Sequence, residues 1–442
     1  MSAGEERDGL ASGAPLTLGR FELVDHRASA PLFPGEPDGP RVPLFAREVR
    51  RRGGERLPWL VYLQGGPGFE SPRPENDDGW IGTATKRFRV LLVDQRGTGN
   101  SGAIEGGRVP TARELAAYRA DAIVADLEHW RRLLAGDARW SVLGQSFGGF
   151  CAVHYLSSRP DALERVLVTG GLPPLAPIEQ VYERTFAKMR AKSHAHYERF
   201  VGDAERVDRI ARRLTEDEVH LPCGDRLTVQ RFQQVGMALG RARGGAALHW
   251  LFESAFAGDD DGPLTQRFLA AVERSQSYAT NPLYAVLHES IYAEGRATRW
   301  AADRVRAADG GHAWRAGEPL TLTGESIHPW MFDEYGALAP YARVASELAE
   351  KDDWPALYDR DALARNAVPV AAAVYTHDLF VDRELSLATA KAIGGADVFE
   401  SAKHEHDGLR DDGAAIVGEL LSRTDRALAA RTRPGRRSSP HA

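Results

Sequence analysis

The segment Trp140-Ser141-Val142-Leu143-Gly144-Gln145-Ser146-Phe147-Gly148-Gly149 constrains the fold more than any other. A short apolar run ends in Gly-x-Ser-x-Gly and passes into a small-residue stretch that reads as a helix from about Gly149. A strand that turns into a helix so abruptly leaves no room for side chains beside the turn, which is why glycines flank it. The turn aims the Ser146 hydroxyl out of the sheet and sets it at a helix N-terminus, where developing negative charge is favoured. The bare pentapeptide is weak in a chain with 44 glycines; the strand before it and the helix after it give it weight.

The surrounding pattern agrees. Trp59–Leu63, Val90–Val93, Trp140–Leu143 and Val166–Val168 are short apolar runs of the kind that form buried parallel strands. Between the second and third lies a predicted helix, Ala112–Leu134, opened by a capping box of Thr111 and Glu114 and carrying Ile123, Leu127, Trp130 and Leu134 on one face. Strands alternating with helices predict an α/β parallel sheet. Upstream, Leu16–Val24 and Val42–Val49 read as a hairpin or meander. After Gly170-Gly171-Leu172-Pro173-Pro174 the spacing turns helical, until a strand signal returns at Val368–Tyr375 and more weakly at Val398-Phe399, followed by a helix over about Ala414–Leu421. The expected organisation is a disordered N-terminus (1–15), a first core part (16–175), a helical cap (176–345), a second core part (346–428) and a disordered basic tail (429–442).

Composition narrows the function. The 442 residues are 43% apolar and 27% charged, a globular balance, and apolar runs of about five residues fall far short of the ~20 a membrane helix needs. The acidic start, Met1 to Glu6, does not read as a secretory signal. A net charge of −6 with well-mixed signs argues against a nucleic-acid partner. Cys151 and Cys223 are too few for a disulfide scaffold or a four-cysteine zinc module, and Cys151 reads as a buried small apolar residue. The expectation is a cytoplasmic enzyme or binding protein with no membrane or nucleic-acid partner; oligomeric state is not legible.

The Gly144–Gly148 motif resembles the nucleophile elbow of the α/β-hydrolases, in which the partners follow in the order Ser, Asp or Glu, His. Asp378, just past the strand Val370–Tyr375, is the first candidate acid and Asp382 the alternative. His406, in His-Asp-Gly, is the first candidate base and His404 the alternative. Two histidines two apart, with no third ligand, do not make a metal site, so no metal and no cofactor is expected. Gln64-Gly65-Gly66-Pro67-Gly68 follows the strand Trp59–Leu63 and can supply a backbone donor. Gly66 is the choice, since Pro67 has no N–H, with Phe147 as the second oxyanion donor. Asp94 and Arg96, in Asp94-Gln95-Arg96-Gly97-Thr98-Gly99-Asn100-Ser101, read as supports for that loop.

Together these motifs resemble one family, the prolyl aminopeptidases (proline iminopeptidases). Gln64–Gly68 is similar to its His-Gly-Gly-Pro-Gly loop, Asp94–Ser101 to its Asp-Gln-Arg-Gly-x-Gly-x-Ser signature, and Gly144–Gly149 to its Gly-Gln-Ser-Phe-Gly-Gly elbow. Gln64 stands in the usual histidine place, a difference that spares the glycine backbone and bears on substrate preference. The resemblance implies an α/β-hydrolase core with a mostly parallel sheet and an inserted helical cap. It implies removal of an N-terminal residue, typically proline, from a small peptide with a free N-terminus through an acyl-enzyme. It also implies that cap glutamates meet the substrate amine; Glu253 and Glu289, beside aromatics in helical stretches, are the candidates. Phe147, Phe252 and Tyr292 are candidate walls for the proline ring, though aromatics in such helices, Trp330 and Phe332 included, more often pack a core. The alternatives are another esterase or amidase of this fold, which needs no amine site, and a binding protein on the same scaffold.

Overall fold

A computed structural model describes residues 9–258 and 262–432. Ten strands form one sheet: β1 (Ala11–Ser12), β2 (Leu16–Leu18), β3 (Phe21–Pro31), β4 (Arg41–Arg51), β5 (Trp59–Leu63), β6 (Arg89–Asp94), β7 (Trp140–Gln145), β8 (Leu163–Thr169), β9 (Val370–Tyr375) and β10 (Ala396–Ser401). Their order is β1-β3-β4-β6-β5-β7-β8-β9-β10, with β2 also on β3. The pairings β5–β6, β5–β7, β7–β8, β8–β9 and β9–β10 are parallel, and β3–β4 and β4–β6 antiparallel.

The central strands are apolar throughout because both faces are covered. Val61, Leu91, Val142 and Ala372 face the helices Ala120–Ala135 and Phe147–Ser158, with Leu127, Trp130, Phe150 and Tyr155 between. The alternate residues Leu60, Leu92, Leu143 and Ala371 face Ile81, Ile416, Val417 and Leu420 on the helices Gly79–Ala84 and Gly413–Thr432. That alternation is the strand period of two.

Between β8 and β9 the described residues are helical or irregular, apart from two isolated bridges. The long helix Ile178–Arg199 leads in. Three apolar clusters among the described residues fill this region, one around Val207, Phe232, Phe252 and Phe268, a second around Leu283, Val286, Met331 and Tyr335, and a small third of Ile178, Tyr182, Phe186, Ala301 and Ala302. Phe252 and Phe332 are thus packing residues.

Three expectations need correction. The predicted helix Ala112–Leu134 is two helices, Ala112–Ala116 and Ala120–Ala135, with the capping box at Thr111 and Glu114 in place. The break falls where buried Arg119 donates to the carbonyls of Ala293 and Pro355 and lies over Trp354, tying distant loops to the helix start. The N-terminal stretch expected to be disordered pairs with the sheet at Ala11–Ser12, held by Ser12 Oγ on His26 Nδ1 at 2.8 Å. The helix Gly413–Thr432 likewise runs past residue 429. Residues 1–8 and 433–442, where the rest of the disorder was expected, lie outside the described residues.

Candidate active site

Ser146 sits between β7 and the helix Phe147–Ser158 with φ 52° and ψ −125°, a conformation that a non-glycine residue adopts only when its surroundings impose it. Those surroundings are backbone. A Cβ on Gly144 would lie 2.3 Å from the Gly148 carbonyl oxygen, and one on Gly148 would lie 2.0 Å from that of Leu63. The motif's glycines are therefore the condition for the elbow to pack on β5. Phe147 is the first helical residue, so its N–H has no acceptor within the helix. Its side chain is buried in the core and does not line the cleft.

The glycine loop closes over the elbow. A Cβ on Gly65 would come within 2.5 Å of Gln145 Oε1 and 2.9 Å of Ser146 Cβ. Gln64 is fixed twice: its side-chain oxygen accepts from Tyr62 Oη at 2.8 Å and its carbonyl from Gln95 Nε2 at 3.0 Å. Gln95, which the sequence reading passed over, thus does the work assigned to Arg96. Arg96 instead pairs with buried Asp126 and donates to the carbonyls of Leu32 and Ala117, joining the first strands to the helix Ala120–Ala135. Asp94 grips the chain after the loop, accepting from Ser71 N, Asn100 N and Arg73.

Asp378 follows β9 and His406 follows β10, and the two meet: His406 Nδ1 is 2.8 Å from Asp378 Oδ2. The other carboxylate oxygen accepts from the amides of Phe380 and Val381, at 2.8 and 3.0 Å. With Nδ1–H donating to Asp378, Nε2 is the basic nitrogen; Gln145 Nε2 lies 3.4 Å from it. Burial works to lower the His406 pKa, but the Asp378 charge and hydrogen bond, with Glu325 and Asp407 adding, hold it above the ordinary 6.5. The alternatives are placed elsewhere. Asp382 caps the helix Arg383–Ala392 and pairs with Arg184 and Lys188. His404 is buried against Ser401 Oγ and Asp412.

Ser146 and His406 share one cleft of about 810 Å³, walled by Phe69, Tyr284 and Phe380 among others and containing Glu325. Neither glutamate expected to meet an amine lines it. Glu253 ends the helix Gly244–Glu253 and is exposed. Glu289 is buried at the start of the helix Ala301–Asp309, where its Oε1 accepts from Ala302 N at 2.9 Å, and burial raises its pKa. It satisfies orphan amides of a helix end. Tyr292 packs edge-on against Phe150, away from the cleft.

The carboxylate that is in the cleft is Glu325. It is half-buried with φ 41°, a left-handed backbone angle for a non-glycine residue. Its Oε2 accepts from Tyr284 Oη at 2.7 Å. The preceding Gly324 has no space for a side chain, since a Cβ would lie 2.7 Å from the Met237 backbone. Tyr284 in turn belongs to the helix Leu283–Leu287, on which the glycine loop packs: a Cβ on Gly68 would be 2.7 Å from Tyr284 N. Among the described residues no group of three or more His, Cys, Asp or Glu side chains is arranged to hold a metal.

A mostly parallel sheet with a serine elbow after β7, an acid after β9 and a histidine after β10 defines an α/β-hydrolase, and a family model described as alpha/beta hydrolase fold matches residues 58–206. Within that class, the chain is 43% identical over 422 residues to a proline iminopeptidase of Aeromonas sobria, covering 93% of this chain and 99% of that one. It is 34% identical over 426 residues to the proline iminopeptidase aneH of Aspergillus aculeatus, covering 91% and 94%. The chain belongs to the proline iminopeptidase family.

Proposed function

We propose that this chain releases N-terminal proline from peptides, with Ser146 as nucleophile, His406 as general base and then acid, and Asp378 as the group that orients and charges the imidazole. The observation that carries the amine requirement is Glu325, a carboxylate in the same cleft as Ser146 and His406 and steadied by Tyr284. A prolyl amine brought into the cleft loses part of its hydration, and a carboxylate there offsets that cost. Phe69, Tyr284 and Phe380 wall the cleft and suit an apolar five-membered ring.

In the first half-reaction Ser146 Oγ bonds to the prolyl carbonyl carbon while its proton passes to His406 Nε2. The oxyanion accepts from the N–H groups of Gly66 and Phe147. The C–N bond then breaks, the His406 proton goes to the departing amine, and prolyl-Ser146 ester remains. In the second half-reaction water gives a proton to Nε2 and attacks the ester carbonyl, and Ser146 leaves with that proton. Asp378 stays ionised throughout. One buried free thiol, Cys151, and one exposed, Cys223, suit a reducing compartment, so we place the enzyme in the cytoplasm.

The test compares proline arylamide with its N-acylated form, together with fluorophosphonate labelling of Ser146. Turnover of the free amine only, abolished by labelling, is the expected result. Equal turnover of both forms would leave an esterase or amidase without an amine site.

A further inference from the structure

The cleft is far larger than a prolyl residue, and its lining carries charge that the chemistry above does not use. Three arginines line it, Arg73, Arg241 and Arg410. Arg73 is committed to Asp94 and Glu70. Arg241 and Arg410 are exposed, and among the described residues neither is ion-paired with a carboxylate. Both are tied to the turn that holds the base. The carbonyl of Gly240 accepts from His406 N at 3.2 Å, and Ala242 N donates to Asp407 Oδ1 at 3.1 Å, so Arg241 lies between two contacts with the His406-Asp407 pair. Arg410, in the short helix Gly408–Asp411, donates its own amide to the Asp407 carbonyl at 2.8 Å. Its charge also bears on the buried Tyr62 phenol, which steadies Gln64 of the glycine loop.

His406 is the group that hands its proton to the departing amine, so the side of the cleft built on its turn faces the leaving peptide. From this arrangement we infer that Arg241 and Arg410 take the C-terminal carboxylate of a short peptide, making the enzyme selective for short proline-headed peptides that end in a free acid. The inference rests on the aminopeptidase reading. A guanidinium offers a planar fork of donors that matches a carboxylate, and two of them, one on the turn that bears His406 and one on the segment packed against it, supply both charge and direction.

The experiment uses the full chain and three substrates: Pro-Gly-Gly as free acid, Pro-Gly-Gly amide, and proline arylamide, which has no carboxylate. Wild type is expected to favour the free acid over the amide by roughly tenfold in kcat/KM, carried mostly by KM, as for one charge-assisted contact in an open cleft. The preference should shrink in 0.5 M salt, since the groups are exposed. In the double variant Arg241→Gln with Arg410→Gln the preference should vanish, while arylamide turnover stays within about twofold, which also reports correct folding. Equal rates on acid and amide in wild type, or a double variant that keeps the preference, would overturn the inference and leave the aminopeptidase reading standing. Failure of wild type on all three substrates would remove that reading and this inference with it.

Discussion

Replacing Glu325 with Gln keeps the size of the side chain and its contact with Tyr284 Oη while removing the charge. A carboxylate and an ammonium at about 4 Å interact by ~4 kcal/mol at the effective dielectric of a protein surface. Glu325 is half-buried in an open cleft, and an amide still presents an oxygen to the amine, so only part of that is lost. We expect about 2–3 kcal/mol in kcat/KM on proline arylamide, a fall of roughly 30- to 150-fold. A nitrophenyl ester of a simple acid never used the amine contact and should lose less than about threefold. A second readout is independent of the amine: the Glu325 charge helps hold the His406 pKa up, so its removal should move the acidic limb of the ester pH profile to lower pH. Glu253→Gln should leave the ratio of the two substrates unchanged, and so should Glu289→Gln, although the latter loosens a helix start and lowers Tm. Equal losses on both substrates in Glu325→Gln, or an unchanged profile and rate, would refute the assignment of Glu325.

Three further outcomes are expected. His406→Ala should lower kcat by several orders of magnitude, while His404→Ala, whose ring serves Ser401 and Asp412, should cost stability and little rate; a melting curve beside the rate separates the two. Because the His406 pKa is raised, kcat/KM should rise with pH through a midpoint above 6.5, since only neutral Nε2 accepts the serine proton. The stability sign is opposite: the Asp378–His406 pair contributes fully below 6.5 and fades as pH passes the raised value, so a midpoint of the rate profile at or below 6.5 would contradict the pairing. Gly65→Ala should push the glycine loop off the elbow and reduce proline arylamide and ester turnover alike, in contrast to Glu325→Gln; a selective loss on the arylamide would mean that the loop acts in amine binding.

The core was legible because its rules are local. Strand runs such as Trp59–Leu63 and Trp140–Leu143 are apolar on both faces only if both faces are covered, and the elbow glycines answer to contacts within a few ångström. Asp378 and His406 could be picked out because each follows a strand end. The cap resisted the same treatment. The resemblance implies a cap glutamate and helical spacing beside aromatics marks Glu253 and Glu289, but spacing tells which residues share a face and not where that face looks. Glu325 lies in an irregular stretch with no period to mark it; the one local hint was the glycine before it. Gln95 has no charge to mark it beside Arg96, yet an uncharged amide donor is what the carbonyl of Gln64 meets. The break before Arg119 depended on Ala293 and Pro355, far beyond any local window.

The pairing of β8 with β9 joins Val166 to Val370, about two hundred residues apart in the chain. Loop closure over such a span costs only slightly more than over half of it, ~0.6 kcal/mol per doubling, so a long excursion is thermodynamically cheap. Its effect is on timing. On the ribosome, at about 5–20 residues per second, β7 and the Ser146 turn that follows it emerge well before Asp378, and His406 emerges later still. On the proposed mechanism, a nascent chain in which β9 and β10 have not docked holds Ser146 without its general base and lacks the triad's chemistry. Acquisition of peptidase activity is thereby tied to completion of the sheet, and a chain stalled anywhere in the excursion is an inert one.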